Sequence, residues 1–130
     1  MLENRKLDHI GFGTDNLEEA VRWYTNELGF KVIGECVAPD GTPIAFLKGR
    51  EFTYEIYQPV SGVDPKTAGK VDHIAFVSDD IEKDYAECMK RGYKDTTNGI
   101  QGIPSAWEKG NRYFKVLSAT GEEVEFCQVL

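Results

Sequence analysis

The sequence predicts an α+β fold of two tandem βαβββ modules, whose strands form a curved mixed sheet around a cleft. The main observation is an internal repeat: residues 6–18 (KLDHIGFGTDNLE) and 70–82 (KVDHIAFVSDDIE) are identical at seven of thirteen positions. Each copy begins with strand-like alternation and continues into a helical pattern that stops at a glycine. We therefore expect a single domain, with module one at 1–62 and module two at 68–130.

Each repeat carries the signals that start and end a helix. Asp15-Asn16 and Asp79-Asp80 are candidate N-caps, and each is followed by glutamate in the first turn. The apolar residues that share one helical face are Leu17, Ala20, Val21, Tyr24 and Leu28 in the first copy and Ile81, Tyr85, Cys88 and Met89 in the second. Gly29 and Gly92 then end the helices in the manner of a C′ glycine.

Three further strand-like segments follow each helix. They are predicted near 30–37, 43–48 and 51–58 in module one and near 93–97, 112–118 and 122–129 in module two. The segment 98–111 is the least regular, with turn residues at both ends. Its glycines and its apolar Ile100, Ile103 and Trp107 predict a mobile cover over the cleft, with an ordinary surface connection as an equal alternative.

The composition restricts the class of partner. The net charge of −7 argues against a nucleic-acid partner, because phosphates require a basic surface. No apolar run approaches the roughly 20 residues of a membrane span. The first residues lack the hydrophobic stretch of a signal peptide, so we expect a cytoplasmic protein that binds a small molecule. Cys36, Cys88 and Cys127 are widely spaced and predict free thiols.

The two histidines of the sequence occupy the same place in the repeat. A lone strand histidine is usually a hydrogen-bonded core or surface residue. Two at equivalent positions, His9 and His73, are instead expected to face each other across the shared cleft. Small residues lie on the same strand faces as the two histidines, namely Gly11, Gly13 and Ala75. They predict open space for a ligand beside the histidine rings.

The last strand of each module adds a carboxylate on the face away from the core. Glu55 and Glu125 each lie between bulky apolar neighbours. A glutamate in this setting is usually solvated, but two at matching places beside two matching histidines are better explained as metal ligands. We therefore predict one divalent metal ion bound by His9, Glu55, His73 and Glu125. These donors suit Zn, Ni, Co, Mn or Fe, and we expect Cys127 to line the cleft without binding the ion.

These motifs resemble the vicinal oxygen chelate superfamily over essentially the whole chain. The resemblance rests on the D-H-I-x-F strands at 8–12 and 72–76, the E-I-Y-Q-P segment at 55–59 and the closing G-E-E-V-E-F strand at 121–126. The superfamily includes glyoxalase I, methylmalonyl-CoA epimerase, extradiol dioxygenases, and fosfomycin- and bleomycin-resistance proteins. The resemblance implies paired modules around a metal ion, the four predicted ligands at the ligand positions, and a homodimer.

The ligand set is most similar to that of glyoxalase I. The resemblance implies that extradiol dioxygenases bind their metal through a two-His, one-Glu triad, which leaves coordination positions open. Glu55 would fill one of these positions. Methylmalonyl-CoA epimerases commonly carry glutamine in place of Glu55 and a non-ligand glutamate on the third strand, which 41–47 lacks. Gly13 and Pro59 replace the arginine and asparagine that contact glutathione in glyoxalase I, and the usual Asp-Pro-Asp-Gly turn is Ser-Ala-Thr-Gly at 118–121. Glutathione use is therefore not supported.

The leading hypothesis is a metal-dependent lyase or isomerase of glyoxalase I type. It would move a proton next to a carbonyl of a small substrate with adjacent oxygens, with Glu125 or Glu55 as base and Glu125 slightly favoured. Tyr57 and Trp107 are candidate aromatic residues beside the substrate, although packing roles are at least as plausible. The alternatives are a methylmalonyl-CoA epimerase-like epimerase, a non-catalytic small-molecule binding or resistance protein, and an enzyme that adds a nucleophile to an epoxide.

Overall fold

The computed structural model describes residues 2–119 and 123–130, and its described strands form one eight-stranded mixed sheet that curls into a half-barrel. The strands are β1 (Leu7–Gly13), β2 (Lys31–Val37), β3 (Pro43–Lys48), β4 (Thr53–Tyr57), β5 (Val71–Val77), β6 (Gln101–Ile103), β7 (Asn111–Leu117) and β8 (Glu123–Val129). The helices are α1 (Leu17–Leu28) and α2 (Ile81–Lys90). The predicted α+β class and the curved mixed sheet are confirmed.

The two modules meet through β1 and β5, the strands that carry the sequence repeat. These strands pair antiparallel, and each also pairs parallel with the last strand of its own module, β1 with β4 and β5 with β8. The half-sheets β2-β3-β4-β1 and β6-β7-β8-β5 therefore have equivalent strand orders, as a duplicated module requires. Side chains from β1, β4, β5 and β8 consequently meet near the middle of the sheet.

The helices begin at the predicted caps. The Asn16 and Asp80 side chains accept hydrogen bonds from the backbone N–H groups of Glu19 and Lys83, each at 3.1 Å. The first helix ends at Gly29, whose φ of 71° is the left-handed conformation that glycine adopts without a Cβ clash. Within the described ranges, neither helix has the length and apolarity that crossing a membrane requires.

Each helix buries its predicted apolar face against its own half of the sheet. Leu17, Ala20, Val21 and Tyr24 of α1 pack on Phe12, Ala45, Leu47 and Ile56, whereas Ile81, Tyr85, Cys88 and Met89 of α2 pack with Phe114, Val116 and Phe126. Leu28 was expected on the buried face of α1, but it is the last residue of the helix and is 54% exposed. The sheet face away from the helices is left to form the cleft.

The predicted strand at 93–97 does not form. Only Asp95 makes a bridge there, to Val116, and the sixth strand is Gln101–Ile103, inside the segment predicted to be irregular. The carboxylate of Asp95 accepts hydrogen bonds from the backbone N–H groups of Thr97 and Gly99, at 2.8 and 2.7 Å. These bonds turn the chain immediately after Asp95, so the sixth strand starts only at Gln101.

The predicted turn at 118–121 lies partly outside the described residues.

The segment 98–111 packs onto module one. Ile103 and Ala106 are buried with Cys36, Ile44 and Phe46 of the other module. The Ser105 hydroxyl donates to the backbone carbonyl of Val37 at 2.9 Å and accepts from the Val37 N–H at 3.1 Å. The predicted movement of this segment over the cleft stays a prediction, and it would have to break these contacts.

An ion pair between the half-buried Arg5 and the buried Asp84 attaches the amino-terminal segment to α2. Asp84 accepts two hydrogen bonds from the Arg5 guanidinium, both at 2.7 Å, and a third from the Ser78 hydroxyl at 2.6 Å. Burial acts to raise the pKa of Asp84, but its bonds to Arg5 and Ser78 outweigh burial and hold this pKa below its usual range. The ionised carboxylate is therefore the form that stabilises the fold.

Asp84→Asn is expected to lower the free energy of unfolding by about 2 to 4 kcal/mol at pH 7, because it removes the carboxylate charge that pairs with the Arg5 guanidinium through two hydrogen bonds. A carboxyl whose pKa is depressed in the folded state contributes its stability above its unfolded pKa of about 3.9 and loses it at lower pH. The deficit should therefore shrink as the pH falls below about 4. Urea unfolding at several pH values measures it, with the exposed Asp15→Asn as control. A deficit independent of pH would contradict the assignment.

Candidate metal centre

His9 and His73 lie on adjacent strands at the joint between the modules. The antiparallel register of β1 and β5 pairs His9 with Ala75 and Gly11 with His73. Both histidines are buried, each 1% exposed, and their Nε2 atoms are 3.1 Å apart. The predicted meeting of the two repeat histidines thus occurs within one chain.

Gly11 allows His73 to reach this position. A Cβ built on Gly11 would lie 2.0 Å from His73 Cε1, which is far inside van der Waals contact. The expectation of open ligand space beside the rings is therefore wrong at Gly11, because the His73 ring occupies that space. The cross-strand register, which local sequence does not report, is the reason.

The two predicted glutamates approach the same pair of nitrogens from β4 and β8. Glu55 Oε2 is 3.2 Å from His9 Nε2, and Glu55 Oε1 is 3.8 Å from His73 Nε2. Glu125 Oε1 is 3.6 Å from His9 Nε2, and Glu125 Oε2 is 3.3 Å from His73 Nε2. Donor atoms of His9, His73 and Glu125 all lie within 4.8 Å of one another, a spacing that could hold a metal ion. We call these four residues the His-Glu cluster.

The outward nitrogens of both rings are held by aspartates that the sequence reasoning overlooked. His9 Nδ1 lies 2.6 Å from Asp8 Oδ2, and His73 Nδ1 lies 2.9 Å from Asp72 Oδ2. A carboxylate that accepts from Nδ1–H leaves Nε2 as the electron-pair donor, which is the tautomer a metal ligand requires. The signal was present in the repeat, since both copies read Asp-His.

The charges within the His-Glu cluster are strongly coupled. Burial acts to lower the pKa of His9, but the hydrogen bonds to Asp8 and Glu55 and the nearby carboxylates raise it to about 10. Burial raises the pKa of Glu125, whereas the contacts of Glu55 with His9 and His73 outweigh burial and lower its pKa. The carboxylates around His9 therefore favour a positive charge among these side chains. A divalent cation among the same side chains would supply that positive charge instead.

Lys115 is a further charged neighbour that sequence reasoning missed. It lies opposite Glu125 in the β7–β8 register, and its side chain is only 17% exposed. Its Nζ atom is 3.9 Å from Glu125, 3.7 Å from Asp72 and 3.6 Å from Glu123. Burial acts to lower the pKa of Lys115, but these carboxylates outweigh it and raise the pKa. Side chains two residues apart on a strand point to the same face, so Lys115 could have been predicted to share the cleft face with Tyr113.

A cavity of about 510 Å³ borders the His-Glu cluster and is formed by both modules. We call it the cleft. Its lining residues are Ala38, Pro39, Asp40, Thr42, Ile44, Glu55, Tyr57, Pro59, Asp72, Gln101, Ile103, Asn111, Tyr113, Lys115, Glu123 and Glu125. Tyr57 therefore lies where the sequence suggested a substrate-side aromatic residue. Trp107 does not line the cleft, because its ring packs on Phe46 at 4.7 Å and covers Gly34.

Gly11→Ala is expected to lower the affinity for a divalent metal ion by about 10- to 100-fold, because the new methyl group must displace the His73 ring. Gly13→Ala is the matched control on the same strand, since its Cβ would lie at an ordinary 3.4 Å from Tyr57 and Val63. Metal competition titrations of both variants measure the effect, and circular dichroism confirms the fold. Equal affinity of the two variants would show that the His73 position does not govern metal binding.

The sequence of this chain is similar to those of known proteins. The family model described as the Glyoxalase/Bleomycin resistance protein/Dioxygenase superfamily matches residues 6–126. The uncharacterized protein YwbC of Bacillus subtilis (strain 168) is 31% identical over 128 residues, which cover 95% of this chain and 98% of YwbC.

Solved structures share the same fold. A hypothetical protein from Bacillus halodurans C-125 is 28% identical, with a TM-score of 0.79 over 98% of this chain and 96% of that chain. Methylmalonyl-CoA epimerase from Mycobacterium tuberculosis is 21% identical, with a TM-score of 0.78 over 100% of this chain and 93% of that chain. These structures show the fold, and the family model shows that the chain belongs to the glyoxalase/bleomycin resistance/dioxygenase superfamily, which is the vicinal oxygen chelate superfamily that the sequence motifs resemble.

Proposed function

We propose that this protein binds one divalent metal ion through His9, Glu55, His73 and Glu125. Its substrate would be a small molecule with oxygens on adjacent carbons. The protein would take a proton from the carbon beside a carbonyl group and return it to the neighbouring carbon. The observation that carries the proposal is the convergence of two imidazole nitrogens and two carboxylates, one of each from each module, at the edge of a cleft. Buried groups of this kind are uncommon unless they are paired or bind a metal.

The donor set fits the predicted ion. Two neutral imidazoles and two carboxylates suit Zn, Ni, Co or Mn, and the set lacks the thiolate that would favour a softer metal. Asp8 and Asp72 support this role, because they orient both rings with Nε2 directed into the cluster. A bound divalent ion would act as a Lewis acid that polarises the substrate carbonyl and acidifies the adjacent C–H bond.

Glu125 is the proposed base. Its carboxylate would take the proton from the carbon beside the carbonyl, and the same carboxyl group would return it to the neighbouring carbon. The electron pair of the broken C–H bond passes through an enediolate into the new C–H bond, while the hydroxyl proton moves to the former carbonyl oxygen, so the step needs no oxidant or reductant. Lys115 supports the choice of Glu125, because its ammonium lies 3.9 Å from that carboxylate and favours its ionised form, which is the form that accepts a proton.

Epimerisation is the second candidate, and the symmetry of the cluster favours it. Glu55 and Glu125 come from opposite modules and flank the same pair of histidine nitrogens. Two carboxylates on opposite sides of one carbon could remove a proton from one face and return it to the other. The fold similarity to methylmalonyl-CoA epimerase is compatible with this candidate, but at 21% identity it supports the fold alone.

The test combines metal analysis with an isotope experiment. The protein is loaded with Zn²⁺, Ni²⁺, Co²⁺ or Mn²⁺ and incubated under anaerobic conditions in D₂O with small hydroxycarbonyl compounds and 2-oxoaldehyde hemithioacetals. We expect about one ion per chain, and deuterium at the carbon next to the carbonyl in at least one substrate. Turnover that requires Fe²⁺ and oxygen would instead indicate a dioxygenase. Metal binding without any exchange would favour a binding protein.

A further inference from the structure

The cleft beside the His-Glu cluster is lined by an excess of negative charge. Its acidic residues are Asp40, Glu55, Asp72, Glu123 and Glu125, and Lys115 is the only basic residue among the described residues that line it. Five carboxylates against one ammonium leave four formal negative charges. A divalent ion in the cluster would reduce this excess to two, so the cleft would remain negative.

Lys115 is not free to receive an anionic substrate. Its ammonium lies within 3.6 to 3.9 Å of Glu123, Asp72 and Glu125. An incoming phosphate or carboxylate would have to compete with three carboxylates that the fold holds in place. The positive charge of Lys115 is therefore already neutralised by the chain itself.

We propose that the substrate of this cleft is a small hydroxycarbonyl compound without an anionic group, rather than a conjugate of an anionic carrier such as coenzyme A. The inference rests on the proposed metal-dependent function, and it specifies the substrate class for that function. Each negative charge on a ligand would be repelled by the carboxylates of the wall. At separations of about 8 Å, one such repulsion lowers affinity by about two- to tenfold.

The neutral part of the wall fits the same class of substrate. Thr42, Tyr57, Gln101 and Tyr113 line the cleft with uncharged polar groups. Hydroxyl and amide groups can hydrogen-bond to substrate hydroxyls without requiring a charge. A volume of about 510 Å³ is adequate for a small molecule held by its adjacent oxygens at the cluster.

Two hydroxamic acids of equal length provide the test. Both present the same pair of adjacent oxygens to a metal ion, but 3-aminopropionohydroxamic acid ends in an ammonium and succinohydroxamic acid ends in a carboxylate. Their dissociation constants are measured by calorimetry on the Zn²⁺-loaded protein at low salt. We expect the ammonium compound to bind at least about tenfold more tightly, and the ratio to fall as salt screens the charges.

Charge-removing variants identify the origin of the selectivity. Asp40→Asn keeps the oxygen that accepts from the Thr42 N–H at 2.9 Å, so the turn should persist without the charge. Combined with Glu123→Gln, it should lower the dissociation constant of succinohydroxamic acid by about three- to tenfold. Glu18→Gln on α1 is the control for the loss of a single carboxylate, since it removes one negative charge from an 84% exposed side chain outside the cleft and should change neither constant.

The outcomes separate this inference from the function on which it rests. A Zn²⁺-loaded protein that binds succinohydroxamic acid as tightly as the ammonium compound would overturn the inference alone. A protein that binds no metal ion would overturn the proposed function and the inference together. Selectivity for the ammonium compound that the Asp40→Asn/Glu123→Gln variant does not reduce would also overturn the inference, because the wall charges would not be its cause.

Discussion

His73→Ala is expected to lower the affinity for a divalent metal ion by at least about 100-fold while the protein stays folded. The Nε2 atom of His73 is 3.1 Å from His9 Nε2 and 3.3 Å from Glu125 Oε2, so its loss removes one of the four proposed donors from the centre of the cluster. Replacement of a group that only orients a metal-binding histidine already costs about 10- to 100-fold. Loss of the histidine itself should cost at least as much.

Two further variants make this prediction specific. Asp72→Asn keeps the shape of the side chain but removes the charge that orients His73, so it should lower metal affinity by about 10- to 100-fold. Cys127→Ala is the negative control, because Cys127 is buried on β8 near the cluster but is not a proposed ligand. Metal content after dialysis, with circular dichroism on each variant, measures all three. Full metal retention in a folded His73→Ala protein would eliminate the proposed site.

The duplication explains why so much of the fold could be predicted. Two copies of one strand-helix pattern imply a pseudo-symmetric pair of modules, and the pairing of β1 with β5 follows that symmetry. Alternation along each strand then places His9, Glu55, His73 and Glu125 on the face away from the helices. The structure brings the four together, and their role as metal ligands stays a prediction.

One feature that was not predicted depends on a local turn, and two others depend on contacts between distant segments. The carboxylate of Asp95 turns the chain by accepting hydrogen bonds from backbone groups. The sixth strand therefore forms at Gln101–Ile103 and not at the predicted 93–97. The His73 ring of β5 fills the space beside Gly11, and Trp107 packs against Phe46 of module one. Local periodicity reports the face of a residue, but it does not report which neighbour covers that face.

Glu125→Gln is expected to reduce solvent-deuterium exchange into the substrate by about 100- to 10,000-fold, which is the usual contribution of a general base. The amide retains an oxygen that can bind the ion and nearly the same volume, so most of the metal should remain. Glu55→Gln is the matched variant in the other module, since Glu55 contacts the same two histidines, whereas Glu125 also lies 3.9 Å from Lys115. If Glu125 is the base, Glu55→Gln should retain exchange within about tenfold of the unchanged protein.

The pair of variants also separates the isomerase from the epimerase. In an epimerase with two bases, each carboxylate serves one face of the carbon, so each variant should lose inversion but keep exchange in one of the two enantiomers. In an isomerase with Glu125 as the single base, exchange should disappear in Glu125→Gln with every substrate and persist in Glu55→Gln. Nuclear magnetic resonance of single enantiomers in D₂O, with metal content measured on the same samples, distinguishes these results. Exchange that survives in Glu125→Gln and is lost in Glu55→Gln would transfer the role of base to Glu55, because each of the two carboxylates contacts both histidines.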